Sequence, residues 1–184
     1  MSPTALTLTI DKMLDKTLLP VKTDEQIQLL AKLADAIWHE YFSGMLSDAQ
    51  IDYMVKAFQS KKALRNQIRT DGYLYFFILS DRKPVGYMGL RPEKNRLFLS
   101  KIYIQKDDRG KGFFSFALDY IEKLARDMGL EAIYLTVYQH NTSSIQIYQK
   151  KGFRIIGTQV KPIGQGYIMD DYILEKKQER CHAG

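Results

Sequence analysis

The stretch LFLSKIYIQKDDRGKGFFSFALDYIEKLARDMGLEAIYLTVY, residues 97–138, decides the fold. Leu97 to Ile104 is rich in β-branched, aromatic and leucine residues, the composition of a strand. A polar, glycine-bearing loop follows, Lys106 to Gly112. From Phe113 to Met128, residues Phe113, Phe116, Ala117, Tyr120, Ile121, Leu124, Ala125 and Met128 recur at the spacing of one helical face, and Gly129 is a natural C-terminal stop. Ala132 to Tyr138 returns to strand composition. Strand, helix, strand in this order implies a right-handed crossover that lays the second strand parallel to its neighbour.

Working outward, Tyr73 to Leu79 and Val85 to Arg91 read as two strands joined by the breakers Asp81 to Pro84, and the polar turn Pro92 to Arg96 joins them to Leu97 in an antiparallel meander. Further upstream, Thr23 is a suitable N-cap for a helix to Phe42 with Ile27, Leu30, Leu33, Ala34, Ile37, Trp38 and Tyr41 on its apolar stripe. Ser47 to Phe58 and Ser60 to Arg69 read as two more helical stretches. Downstream, Asn141 to Lys151 is a short helix stopped by Gly152, and Phe153 to Val160 and Tyr167 to Glu175 are strands. The expectation is a single α+β domain over residues 1–184, with its core at about 17–176 and a frayed tail after it. Its sheet is mixed, antiparallel at both ends, with one parallel junction near the middle and helices on its faces.

The chain has 184 residues, 45% of them apolar and 26% charged, which is the composition of a globular domain. At this length folding buries roughly 70% of the surface of the unfolded chain, so neither a disulfide nor a structural metal is needed. No apolar run approaches the ~18 residues of a membrane span, so no membrane partner is expected. Met1 to Lys16 has neither the basic region nor the apolar block of a signal peptide, and the lone Cys181 suits a reducing compartment; both point to the cytoplasm. With 27 Lys and Arg against 21 Asp and Glu, the net charge of +6 calls for an anionic partner: nucleic acid, anionic lipid or a phosphorylated cofactor.

The loop before the strongest helix is the place for such an anion. Unpaired backbone N–H groups and the helix dipole face outward there, Gly110 and Gly112 allow close approach, and Arg109 and Lys111 add charge. A dinucleotide fingerprint fails, because Ser115 stands where the third glycine belongs and Gln139 and His140 replace the acidic residue after the next strand. A Walker loop fails for want of Gly-Lys-Ser/Thr. A solvent-exposed turn with incidental basic residues is the plain alternative.

Taken together, Tyr103-Ile104, Arg109-Gly110-Lys111-Gly112, and then Asn141, Ser144, Tyr148, Lys150 and Gly152-Phe153 resemble the GCN5-related N-acetyltransferase superfamily, closely over Leu97 to Phe153 and loosely over the whole chain. The resemblance implies acetyl-CoA as cosubstrate and an amine as acceptor. Its Gln/Arg-x-x-Gly-x-Gly/Ala motif, which binds pyrophosphate through backbone N–H groups, maps onto Arg109 to Phe114. Arg109 and Gly112 match, and Phe114 departs from Gly or Ala. The departure leaves the backbone donors of Gly110 to Phe114, including Phe113, in place, and Phe114 falls at the edge of the apolar stripe. The resemblance also places backbone groups of Ile102, Tyr103 and Ile104 against thioester and pantetheine, on a strand that splays from its parallel neighbour to admit the cofactor. It assigns Asn141 to pantetheine contact and Tyr148 to protonating the departing thiolate, with Ser144 in place of the usual Ala. Structural readings stand beside these: Asn141 as an N-cap, Tyr148 as a core aromatic, Lys150 as a cation suited to the last helical turn.

Many relatives carry Glu on the strand before the loop, where Phe98, Ser100 and Lys101 stand here, so the base that deprotonates the amine stays open among His140, Asp170, Asp171, Glu40 and water. His39, opposite the apolar stripe, reads as solvated, as does the basic run Lys61, Lys62, Arg65 and Arg69. Cys181 and His182 support no metal site. The function expected is direct acetyl transfer from acetyl-CoA to a primary amine, such as a small amine, polyamine or protein amine. A noncatalytic acyl-CoA-binding regulatory module is its rival. A nucleic-acid binder ranks last for want of a reader motif, and a homodimer is allowed by the sequence without being called for.

Overall fold

Seven strands form one sheet in a computed structural model that describes residues 15–178. They are β1 (Lys16–Pro20), β2 (Leu74–Ser80), β3 (Lys83–Pro92), β4 (Arg96–Ile104), β5 (Ala132–Tyr138), β6 (Arg154–Gly164) and β7 (Tyr167–Lys177). The α-helices are α1 (Asp24–Phe42), α2 (Asp48–Met54), α3 (Lys61–Arg69), α4 (Phe113–Asp127) and α5 (Thr142–Lys150). The strand order is β1-β2-β3-β4-β5-β7-β6, antiparallel except between β4 and β5. The α+β class, the mixed and mostly antiparallel sheet and the parallel junction made by the α4 crossover are as the sequence implies.

Both faces of the sheet are covered, which explains why β2 reads as a continuous apolar run. Phe76 and Ile78 join α4 residues Phe113, Ala117 and Ile121 in one core, while Tyr75, Phe77 and Leu79 join α1 residues Ile27, Leu30, Ala34 and Trp38 in the other. Successive strand residues point to opposite faces, so each face receives every second side chain. At its start α1 is held by a capping box, in which Thr23 Oγ1 accepts from Gln26 N and Gln26 Oε1 accepts from Thr23 N at 3.0 Å.

Three details differ from expectation. β1 is a short edge strand that antiparallel pairing adds to β2; five residues with two leucines carry too little periodicity to announce it. The second helical stretch is not uniform: α2 ends at Met54 and Val55–Gln59 winds as a π-helix. The wider turn carries Gln59 into the core, where its Oε1 accepts from Tyr87 Oη at 3.1 Å while Tyr87 Oη accepts from Trp38 Nε1 at 2.7 Å. Leaving that buried hydroxyl unmet would cost about 1–3 kcal/mol, enough to offset one irregular turn. Finally, β7 runs to Lys177, two residues past the expected strand end at Glu175 and one past the expected limit of the core. Lys177 pairs with Ala132, Gln178 N donates to Glu131 O at 2.8 Å, and Lys176 Nζ binds Glu122 at 2.6 Å. Cys181 and His182 lie outside the described residues.

Candidate active site

β4 and β5 pair only at their beginnings, Arg96 to Phe98 against Ala132 to Tyr134. The cause lies one strand away. In the β3–β4 register Gly89 faces Lys101 and Leu90 faces Leu99, leaving Ser100 as an extra residue on β4. Such a bulge bends its strand and increases local twist, which turns the rest of β4 away from its parallel neighbour. β5 meanwhile stays paired with β7 as far as Tyr138. Leu99 to Ile104 therefore presents a strand edge with no partner strand among the described residues, and Ile102, Tyr103 and Ile104 lie on it.

At the far end of that edge stands the start of α4. Its N-cap is Gly112 at φ +82°, a left-handed conformation suited to glycine, so the N–H groups of Phe113, Phe114 and Ser115 have no intrahelical acceptor. Gly110, also left-handed at φ +77°, has open space around it. Arg109 is committed elsewhere: its Nε donates to Ile104 O at 2.9 Å and its two terminal nitrogens grip Glu40, one at 3.0 Å, tying the loop to β4 and α1. Lys111 Nζ pairs with Asp108 at 2.8 Å. Two other lysines flank the helix start: Lys16 on β1, 5.3 Å from the Phe113 ring centroid, and Lys151, whose Nζ donates to Ser115 Oγ at 2.9 Å. Lys150 is exposed on the last turn of α5.

The start of α5 closes the other side of the opening. Asn141, buried, caps the helix by accepting from Ser144 N at 3.3 Å, and its amide donates to Tyr41 Oη at 3.0 Å. Tyr41 Oη also lies 2.6 Å from Ser144 Oγ, so α1 and α5 are stitched together at the mouth. One turn on, the Tyr148 ring packs between Phe114 (5.7 Å) and Phe153 (5.5 Å), which explains the departure at Phe114 as packing. Tyr148 lines the cleft, and its hydroxyl has no hydrogen-bond partner among the described residues. Burial, with Tyr41 nearby, pushes its pKa well above the ordinary phenol value, so Tyr148 keeps its proton across the physiological range.

A cleft of about 590 Å³ opens from this edge, bounded by α1, β4, β5, β6 and β7. Of the base candidates, Asp171 on β7 lines it. Asp171 is 7% exposed as a residue, and its carboxyl accepts from Gln159 Nε2 at 3.4 Å and is pushed above the usual carboxylate value chiefly by burial. Asp170 is exposed and accepts from Gln139 Nε2 at 2.5 Å, Glu40 is bound to Arg109, and His140 is exposed with its ring 5.1 Å from that of Tyr138. His39, expected to be solvated, is partly exposed but bridges α1 to α2 through Asp52 at 2.8 Å. Arg65 and Arg69 of the basic run both bind Asp24 at 2.8 Å.

Sequence reasoning missed Lys16, Lys151, Tyr41 and Lys101 as site residues. Lys16 sits on the strand it did not find, and the other three gain their place only from tertiary pairing. Among the described residues no helix is long and apolar enough to cross a membrane.

The whole set fits a CoA thioester: N–H groups and two lysines for phosphates at one end, an unpaired strand edge for an amide-bearing arm, and a protonated phenol facing the cleft. Comparison with known proteins agrees. The profile of the acetyltransferase (GNAT) family matches residues 31–153. A spermidine N(1)-acetyltransferase of Thermoplasma acidophilum is 25% identical over 159 residues, covering 84% of this chain and 93% of the relative. The crystal structure of PaiA N-acetyltransferase from the same organism, in complex with coenzyme A, superposes with a TM-score of 0.71 at 21% identity, covering 89% of this chain and 99% of that one. A GCN5-related N-acetyltransferase from Rhodopseudomonas palustris gives 0.72 at 17% identity, covering 88% and 94%. The chain belongs to the GNAT family of N-acetyltransferases, enzymes that take their acetyl group from acetyl-CoA.

Proposed function

We propose that the protein transfers the acetyl group directly to a primary amine, with Tyr148 as general acid and Asp171 as general base. The observation that carries this reading is the unpaired edge of β4 opening into a cleft that holds both a protonated phenol and a carboxyl raised by burial. The likeness to a spermidine acetyltransferase points to an amine as the acceptor. Acetyl-CoA supplies an activated thioester carbonyl. Main-chain N–H groups at Gly110 to Phe114, with Lys16 and Lys151, hold its phosphates, and the edge from Ile102 to Ile104 receives its arm.

An alkylammonium ion titrates near pH ~10.4 and must lose a proton before it attacks. Asp171 accepts that proton, directly or through one water. The amine nitrogen then forms its bond to the carbonyl carbon, and a β4 backbone N–H steadies the negative charge that develops on oxygen. As the carbon–sulfur bond breaks, Tyr148 gives its proton to the sulfur, the nitrogen gives up its second proton to the Tyr148 phenolate through water, and Asp171 returns the first proton to solvent, so amide, free thiol and one proton leave with atoms and charge balanced. No side chain is acetylated on the way.

The test is thioester loss from acetyl-CoA with a panel of primary amines, with the N-acetyl product identified by mass. Stoichiometric amide and CoA formation supports transfer. Tight acetyl-CoA binding without turnover on any amine would favour the noncatalytic module instead.

A further inference from the structure

The part of the cleft lined by Lys101, Arg91 and Tyr73 carries a charge pattern that narrows the acceptor class, on the reading that the chain acetylates amines. Lys101 follows the β4 bulge and lies over Gly89, whose missing side chain leaves room for the Tyr75 ring; a Cβ there would meet that ring at 2.7 Å. Lys101 Nζ sits 5.4 Å from the Tyr73 ring centroid and 5.9 Å from that of Tyr75, and donates to Ser100 Oγ at 2.8 Å. Arg91 on β3 approaches the same Tyr73 ring at 5.3 Å, so two cations converge on one aromatic platform.

Neighbouring carboxylates are already engaged. Glu93 accepts from Arg91 at 2.7 Å and from Tyr134 Oη at 2.9 Å, Asp71 accepts from Asn66 at 2.9 Å, and Asp171 accepts from Gln159 at 3.4 Å. Lys101 forms no ion pair among the described residues. Its desolvation, with Arg91 and Lys161 adding like charge, pushes it down to about 7. Such a cation gains most from an arriving anion and repels a second cation. Lys101 and Tyr103 share a sheet face two residues apart, about 7 Å along the strand. Tyr103 lines the same cleft as Tyr148 and Asp171, so the Lys101 site lies a short molecule's length from the proposed chemistry.

We propose that Lys101, with Arg91 beside it, receives an anionic group of the acceptor, so that the amine acetylated belongs to a carboxylate-bearing molecule rather than to a polyamine. Selection arises from both halves of the pattern: attraction of the carboxylate and repulsion of any second ammonium group.

Matched amines that differ by one carboxylate test this: ornithine against putrescine, and lysine against cadaverine. In the wild-type protein kcat/KM is expected to favour the carboxylate-bearing member of each pair by at least about tenfold. Lys101→Gln removes that preference, Lys101→Glu reverses it, and Lys101→Arg retains it. CoA binding by calorimetry checks that each variant is folded, and Arg91→Gln, expected to weaken the preference, is the second variant should the changes at Lys101 unfold the protein. A wild-type preference for the diamines, or a carboxylate preference that survives Lys101→Glu, overturns the inference. Failure to acetylate any member of either pair, with turnover on other amines of the wider panel, overturns this inference alone, whereas failure on the whole panel removes the transfer reading and this inference with it.

Discussion

At Tyr148 packing and chemistry make different demands on one side chain. The ring is held by Phe114 and Phe153, whereas the hydroxyl has no hydrogen-bond partner among the described residues. Tyr148→Phe preserves the first and removes the second. We expect kcat to fall by roughly 10² or more with CoA affinity nearly unchanged, because proton donation to sulfur develops mainly in the transition state. A Phe variant that turns over like wild type would leave Tyr148 a packing residue only. Asp171 makes a pH prediction. Burial raises its folded pKa, the protonated form cannot accept a proton, and kcat/KM should therefore decline as pH falls through that raised value. Asp171→Asn should lower kcat/KM by about 10²–10⁴ and abolish that acidic limb, while His140→Gln should leave the limb in place. Tyr148 is proposed from the sequence through family resemblance, which is possible because its spacing from Asn141 is local. Asp171 stands out from the other carboxyl and imidazole candidates only once β7 is seen lying beside β5, a pairing no local spacing encodes.

Among the elements, α4 and α1 are legible because their apolar spacing is sustained over several turns and their ends carry glycine or Thr23 caps. β1 and the π-helical turn are not, since one is a five-residue edge and the other answers to a buried hydroxyl on a distant strand. The start of α4 is where local geometry and binding meet. Gly112→Val would force a β-branched residue into φ +82°, with its Cβ 2.9 Å from Lys16 Nζ. Calorimetry should show acetyl-CoA affinity reduced at least tenfold, about 1.4 kcal/mol. Unchanged affinity would remove this helix start from the site. The α1–α2 clasp makes a quieter prediction. The Asp52 hydrogen bond, then the contact with Asp35, raises His39 above its ordinary pKa of 6.5. Its stabilisation is fully present below the unfolded value and is lost as pH rises through the folded one. Both partners are well exposed, so solvent screens the pair, and the associated change in Tm should be about 1–2 °C at most and vanish in His39→Asn.

At the scale of the whole molecule, one sheet carries a core on each face, and the place where β4 and β5 part is the proposed site. The meander, the crossover and the parallel junction can be read from the order of periodicities along the chain. The opening itself was implied only by family resemblance, because its physical cause, the bulge at Ser100, depends on how β3 and β4 register against each other. The same holds for the pair Lys101 and Arg91, which a linear reading separates by a turn and which the sheet sets around one tyrosine ring. The central claim is that the parted strands admit the acetyl donor and bring its sulfur to Tyr148. The measurement that tests it most directly is a crystal structure of the complex with CoA. The account predicts the pyrophosphate on the N–H groups of Gly110 to Phe114, the pantetheine arm along Ile102 to Ile104, and the sulfur within about 3–3.5 Å of Tyr148 Oη. CoA bound outside the β4–β5 opening, or seated there with its sulfur turned away from Tyr148, would contradict it.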